Sequence, residues 1–199
     1  MMKIIGISCS PRQGQTTFQA LEQCLTAARE TDKNIETQLI ELAGLDIRPC
    51  TACDQCKNGM ECSIDDDFHT LIPALADDQV AAMVIGTPVY FGSVAAQCKV
   101  FLDRCVILAR NGQRFRNRLL GALAVGKVRH GGHELAIQTI MAAGLCHDMI
   151  CVNGGHHACH FGAALWSGPN ADIKEDNPGI QDARELGRRL AQLAQRFTV

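Results

Sequence analysis

Short apolar runs alternate with helical patterns along this chain, and that alternation constrains the fold more than any other feature. The runs are residues 2–8, 35–42, 80–86, 119–125 and 148–153. The third of them, Val-Ala-Ala-Met-Val-Ile-Gly, is apolar throughout, as a strand covered on both faces of a parallel sheet must be. The second sets Ile35, Thr37 and Leu39 against Glu36 and Gln38, the pattern of a half-buried edge strand. Helical spacing follows each run, at 16–30, 68–75, 95–108, 133–145 and 179–197, with Phe18, Leu21, Leu25 and Ala28 marking the first apolar face. Strands alternating with helices build a doubly wound parallel sheet with helices on both faces. Five such units suit the strand order 2-1-3-4-5 in a single domain spanning residues 1–199. Ligands of such sheets bind outside the carboxyl ends of the strands, at the switch point between strands 1 and 3.

Three unusual loops then meet on one edge. The first, Ser8-Cys9-Ser10-Pro11-Arg12-Gln13-Gly14-Gln15-Thr16-Thr17, leads from strand 1 into the first helix, where free N–H groups and the helix dipole favour an anion. Ser10, Thr16 and Thr17 offer hydroxyls, and Arg12 offers a forked cation for phosphate oxygens. The loop is neither G-x-x-x-x-G-K-[ST] nor G-x-G-x-x-G, which disfavours a nucleoside triphosphate or a Rossmann-bound dinucleotide. A plain hydrophilic turn with a Thr cap accounts for the same residues. The second loop, Thr87-Pro88-Val89-Tyr90-Phe91-Gly92-Ser93, brings two aromatics and backbone donors to a flat ligand, or else plugs the core with those rings. The third, Gly126 to Glu134, holds Gly126, Gly131 and Gly132. A phosphorylated molecule with a flat polar ring system fits all three, and flavin mononucleotide (FMN) is the obvious candidate.

A cysteine cluster, Cys50-x2-Cys53-x2-Cys56-x5-Cys62, follows strand 2 in a loop over 48–64. That spacing lets thiolates from one loop converge on a [4Fe–4S] cube. Zinc accepts four thiolates too, although its usual pattern sets two C-x2-C pairs further apart, and a loop that binds nothing is the third reading. Eleven cysteines is an odd number, and in a reducing compartment clustered ones point to metal or redox chemistry before disulfides. Asp65, Asp66 and Asp67 cap the second helix. Cys24, Cys98 and Cys105 read as core and His69 as a satisfied surface histidine. The four arginines within 110–118 read as a solvated connection, with a subunit contact or a nicotinamide-phosphate site as the sharper alternative. His156, His157, Cys159 and His160 are too crowded for one ion and suit a polar rim or a subunit contact.

A net charge of −2 and only nine Phe, Trp and Tyr residues in all argue against nucleic-acid and anionic-membrane partners. No apolar run has the length of a membrane span and the amino terminus lacks a signal-peptide pattern, so the expectation is a cytoplasmic protein.

The loop Gly6-Ile7-Ser8-Cys9-Ser10-Pro11-Arg12 with Thr16-Thr17 resembles the phosphate loop of the NADPH-dependent FMN reductase family. The stretch from Thr87-Pro88-Val89-Tyr90-Phe91-Gly92-Ser93 through Lys99-Val100-Phe101-Leu102-Asp103-Arg104 is similar to that family's second signature. The four cysteines with Asp66-Asp67 after them resemble its iron–sulfur flavoprotein branch. The resemblance implies a flavodoxin-like fold and a homodimer or homotetramer with flavins near subunit interfaces. It implies FMN phosphate at Ser10, Arg12, Gln15, Thr16 and Thr17. The isoalloxazine ring would lie along Pro88, Val89, Tyr90, Phe91, Gly92 and Ser93 and near Gly126, Gly131 and Gly132. Cys9 departs from the family pattern, standing where a glycine is common.

The function expected is an FMN-dependent oxidoreductase, with the chemistry carried by the flavin and no catalytic side chain assigned. NAD(P)H is the transient donor. With a cluster on Cys50, Cys53, Cys56 and Cys62 the protein passes single electrons to a ferredoxin-like partner. Without one it reduces flavin- or quinone-type small-molecule acceptors. The rivals are a non-enzymatic redox or metal sensor built on the 50–62 loop, and a phosphate-binding protein without flavin.

Overall fold

The computed structural model describes residues 2–155 and 160–197. The elements in chain order are β1 (Met2–Ser8), α1 (Thr16–Thr31), β2 (Ile35–Glu41), α2 (Phe68–Leu75), β3 (Val80–Tyr90), β4 (Ser93–Val94), α3 (Ala96–Arg104) and α4 (Val106–Arg110). They continue with β5 (Leu119–Gly126), α5 (His133–Cys146), β6 (Ile150–Val152), β7 (Ala163–Trp166) and α6 (Asn177–Phe197). The strands pair in the order β2-β1-β3-β5-β6, all parallel, with β4 added antiparallel to β3 and β7 parallel to β5.

Each central strand feeds two cores, because its side chains alternate between faces. Ile5, Ile7, Met83, Ile85, Leu120 and Ala122 pack under α2, α3, α4 and α5. Ile4, Ala82, Val84, Leu119 and Leu123 pack under α1 and α6. Gly187 of α6 sits where a Cβ would come within 1.9 Å of the Cys24 carbonyl oxygen, so α1 and α6 touch backbone to backbone at that point. Cys24, Cys98 and Cys105 are buried, as expected of core residues.

The doubly wound, flavodoxin-like architecture agrees with the expectation, and three details correct it. Among the described residues the sheet has seven strands where five were expected. The fifth position is shared: β6 pairs with Leu119–Gly121 and β7 pairs with Leu123–Gly126. The chain leaves the sheet between them, so β7 was read as loop. Residues 87–90 belong to strand β3, which ends in a hairpin rather than an open loop. Phe91 (φ 48°) and Gly92 (φ 74°) are both left-handed, the geometry of the two-residue turn that matches strand twist. The helix expected over 95–108 is broken into α3 and α4 at Cys105.

Candidate functional site

The first loop turns the chain from β1 into α1, a helix of 16 residues. Ser10 is buried, and its hydroxyl accepts the Arg12 N–H at 3.1 Å. The Gln15 side chain makes no capping bond, which leaves the first-turn N–H groups of α1 without that partner. Thr16 and Thr17 are buried, and the hydroxyls of Thr17 and Ser8 have no hydrogen-bond partner. Buried, unpaired hydroxyls are destabilising unless something else satisfies them. Exposed Arg12 lies on the same loop. These groups fit a phosphate. One feature escaped the sequence reading: Glu41, at the end of β2, accepts the Gly14 N–H at 2.8 Å and braces the loop.

The second and third loops meet directly. Tyr90 and Phe91 sit at the exposed hairpin tip, with Phe91 fully exposed, so they are not core plugs. A Cβ on Gly132 would lie 2.7 Å from the Gly92 Cα, and Gly132 has φ +102°. The β5–α5 loop therefore packs on the hairpin through two glycines. Pro88 is buried and Val89 half-buried, and Ser93 is exposed beyond the turn. Thr87 closes the hairpin: its hydroxyl accepts the Ala95 N–H at 3.0 Å and donates to the Pro88 carbonyl at 3.0 Å. Gly126 ends β5 beneath the ring of His133; a Cβ there would come within 2.6 Å of the imidazole. The His133 Nε2 lies 2.9 Å from the Leu165 carbonyl.

The outer side of this third loop is fixed from β7. The Trp166 indole N–H donates to the Lys127 carbonyl at 2.7 Å, and the Arg129 guanidinium stacks 4.7 Å from the Trp166 ring centre. Buried Asp176 accepts from Arg129 at 3.2 Å and from the Trp166 N–H at 2.6 Å. None of His133, Trp166 or Asp176 was singled out from sequence.

The cysteine loop forms a second site beside α2, α3 and α4. Cys50, Cys53, Cys56 and Cys62 line one cavity together with Arg104 and Arg110. Every one of the four sulfurs has a polar neighbour. The Ala52 N–H donates to Cys50 Sγ at 3.4 Å, and the Ser63 hydroxyl lies 2.9 Å from Cys53 Sγ. Arg110 donates to Cys56 Sγ at 3.2 Å and Arg104 to Cys62 Sγ at 3.4 Å. The Ser63 hydroxyl holds the Cys53 thiol below its usual range, which favours thiolate. Among the described residues no three Cys, His, Asp or Glu side chains close to the separations that an ion requires. The donor set and its hydrogen bonds fit a thiolate-bound metal group.

Asp66 anchors that loop. Its carboxylate and the Arg104 guanidinium form a two-pronged pair at 2.6 and 3.0 Å, with both side chains almost fully buried. Arg104 also donates to the Arg48 carbonyl at 2.8 Å and stacks on Phe68. Burial pushes the Asp66 carboxyl up, but Arg104 and the N–H groups of Arg48 and Phe68 outweigh it and hold the carboxyl below its ordinary range. The triplet was expected to cap α2, but only Asp66 reaches the helix start, its Oδ1 accepting the Phe68 N–H at 3.1 Å; Asp67, at the N-cap position, makes no side-chain capping bond and accepts the Asp46 N–H at 2.8 Å instead. The four arginines of 110–118 all pair within the chain: Arg110 with Asp54, Arg114 and Arg118 with Asp78, and Arg116 with Asp148. His69 Nδ1 lies 3.2 Å from the Asp66 carbonyl. His156, His157 and Cys159 lie outside the described residues, and His160 is exposed.

The NADPH-dependent FMN reductase family model matches residues 2–164. An iron–sulfur flavoprotein of Methanocaldococcus jannaschii is 38% identical over 192 residues, covering 96% of this chain and 97% of its own. An iron–sulfur flavoprotein of Archaeoglobus fulgidus is 37% identical over 196 residues, covering 98% of both. Among solved structures, RosB with a bound 8-demethyl-8-formylriboflavin-5'-phosphate intermediate superposes with a TM-score of 0.71 at 14% identity, over 100% of this chain and 82% of that one. A WrbA-like flavodoxin from Agrobacterium tumefaciens gives 0.64 at 14% identity, over 98% and 99%. Likeness at these identities establishes the fold.

Proposed function

The chain belongs to the NADPH-dependent FMN reductase family and is a flavin-dependent oxidoreductase, and we propose that it joins two-electron to one-electron transfer. In this reading FMN lies across the β1, β3 and β5 loops, and a [4Fe–4S] cluster sits on Cys50, Cys53, Cys56 and Cys62. The observation that carries the reading is the shared cavity of those four cysteines, all with a polar neighbour at sulfur, in a chain whose full-length relatives are named iron–sulfur flavoproteins.

Bound FMN would exchange a hydride with a nicotinamide and single electrons with a metal centre, while a cluster would carry one electron at a time. The chain's own residues do the rest. The open first turn of α1, the Thr17 hydroxyl and Arg12 hold the phosphate. The hairpin tip and the Gly131–Gly132 backbone would hold the ring, with their N–H groups available to its polar edge. Those donors stabilise negative charge as it develops. NAD(P)H is the transient donor, the acceptor is a small molecule or a ferredoxin-like protein, and the working unit is a homodimer or homotetramer.

A second reading keeps the flavin and leaves the thiol loop without metal, making a two-electron NAD(P)H-dependent reductase of flavin- or quinone-type acceptors. Anaerobic titration of FMN into cofactor-free protein, followed by mixing with NADPH and then NADH, tests the flavin half of both. Saturable fluorescence quenching at one FMN per chain and bleaching of the flavin by either nicotinamide support it. Absence of FMN binding overturns both readings.

A further inference from the structure

We propose that Arg104 and Arg110 are positioning residues that raise the reduction potential of the metal group held by the four cysteines. This inference rests on the cluster reading above. Its geometric basis is the set of sulfur neighbours. Cys50 and Cys53 have neutral ones, a backbone N–H and a hydroxyl. Cys56 and Cys62 have cationic ones, the guanidinium groups of Arg110 and Arg104 at 3.2 and 3.4 Å.

Both guanidinium groups are fixed. Arg110 donates its other nitrogen to Asp54 Oδ1 at 2.7 Å, and Asp54 is itself held by Lys57 at 2.7 Å. Arg104 is locked by Asp66 on both nitrogens and by the Arg48 carbonyl. Neither cation needs to reorganise when the sulfurs gain charge. One-electron reduction adds one negative charge to a thiolate-bound metal group, and a fixed cation with an N–H aimed at sulfur stabilises that added charge. The two positions differ in environment. Arg104 is 2% exposed and little screened, whereas Arg110 and Asp54 are 28% and 50% exposed and partly screened. Arg104 therefore has the larger effect per charge. The hydrogen bonds to ligating sulfurs would serve here as outer-shell partners do at other metal sites, setting the electronics of the ligand rather than binding the metal.

The test uses full-length protein reconstituted anaerobically with ferrous iron, sulfide and a dithiol. Iron and acid-labile sulfide are assayed, and the midpoint potential is read by dithionite titration with electron paramagnetic resonance detection. Arg110→Gln keeps a donor and removes the charge. It should retain wild-type iron and sulfide and shift the reduction equilibrium about tenfold toward the oxidised form, which for one electron is about 59 mV more negative. Arg110→Lys should recover most of that shift. The pair Arg104→Gln/Asp66→Asn removes both buried charges together, so that neither is left unpaired and the net charge is unchanged; it should shift the equilibrium in the same direction by less than Arg110→Gln. A change under twofold in Arg110→Gln with iron retained overturns this inference and leaves the cluster reading intact. Loss of iron from Arg110→Gln assigns Arg110 to loop architecture and also overturns it. Wild-type protein that takes up no iron or sulfide overturns the cluster reading and this inference with it.

Discussion

Replacing Asp66 by Asn tests the anchor of the cysteine loop. The carboxylate accepts two bonds from Arg104 and one each from the N–H groups of Arg48 and Phe68. An Asn side chain has one acceptor oxygen and turns an NH2 group toward donors, so at least one bond is lost along with the charge. Arg104 is then a buried cation without a counter-ion. Removing one partner of a buried pair costs about 3–5 kcal/mol. For a chain of this size each kcal/mol lowers the melting temperature by roughly 2–4 °C, so Asp66→Asn should melt roughly 6–20 °C lower. Thermal unfolding of the cofactor-free protein by circular dichroism at pH 7 reads the change. The double variant Arg104→Met/Asp66→Leu removes both charges and should recover most of the loss.

The pH dependence follows from the depressed folded-state value of the carboxyl. Its contribution is complete above the unfolded value, about pH 4, and disappears as pH falls through the lower folded value. Wild type and Asp66→Asn should therefore converge in stability only below about pH 4. A loss under about 1 kcal/mol at pH 7, or a double variant as unstable as the single one, refutes the reasoning.

Three further outcomes are expected. Gly132→Ala places a methyl 2.7 Å from the Gly92 Cα in a left-handed residue; it should cost about 1–3 kcal/mol of stability and about tenfold or more in FMN affinity, whereas Gly14→Ala, with nothing within 4 Å, pays only the backbone penalty of about 1–2 kcal/mol. Thr17→Val removes a buried hydroxyl with no partner; cofactor-free stability should hold or rise while the FMN dissociation constant increases about tenfold, and an unchanged constant would remove Thr17 from the phosphate site. In cluster-free protein, iodoacetamide at pH 8 should label Cys53 before the buried thiols, because Ser63 pulls Cys53 down while burial pushes Cys24 up to about 12 and raises Cys105 as well; peptide mass mapping that finds Cys24 labelled early in folded protein contradicts this.

Much of the fold was legible because it follows from periodicity. Uniformly apolar runs at 80–86 and 119–125 mark the central strands, the alternating run at 35–42 marks the edge, and the observed order places them so. The first loop and the four-cysteine spacing could be singled out because both are local: each candidate site lies within thirteen residues or fewer. What was missed is long-range. Arg104 lies 38 positions from Asp66 and Arg110 lies 54 from Cys56, and no local pattern couples such residues. Arg104 also sits in a helix whose spacing gives no reason for a buried cation, and Arg110 belongs to a stretch that reads as solvated. Strand β7 was missed because only four residues form it, after an excursion rich in Gly and His. The hairpin was missed because Pro88 argues against a strand continuing past Gly86. Its pyrrolidine is accommodated in register with Val125 of β5.

The central claim is that one chain carries both a flavin and a thiolate-bound iron–sulfur cluster, and one sample tests it. Protein purified without oxygen is examined by absorbance, with iron, acid-labile sulfide and FMN assayed on the same material. The account predicts flavin bands over a broad cluster absorbance near 400 nm, about four irons and four sulfides per chain, and loss of the broad component alone in Cys53→Ser. Flavin at one per chain with no iron or sulfide, after anaerobic reconstitution as well, contradicts it.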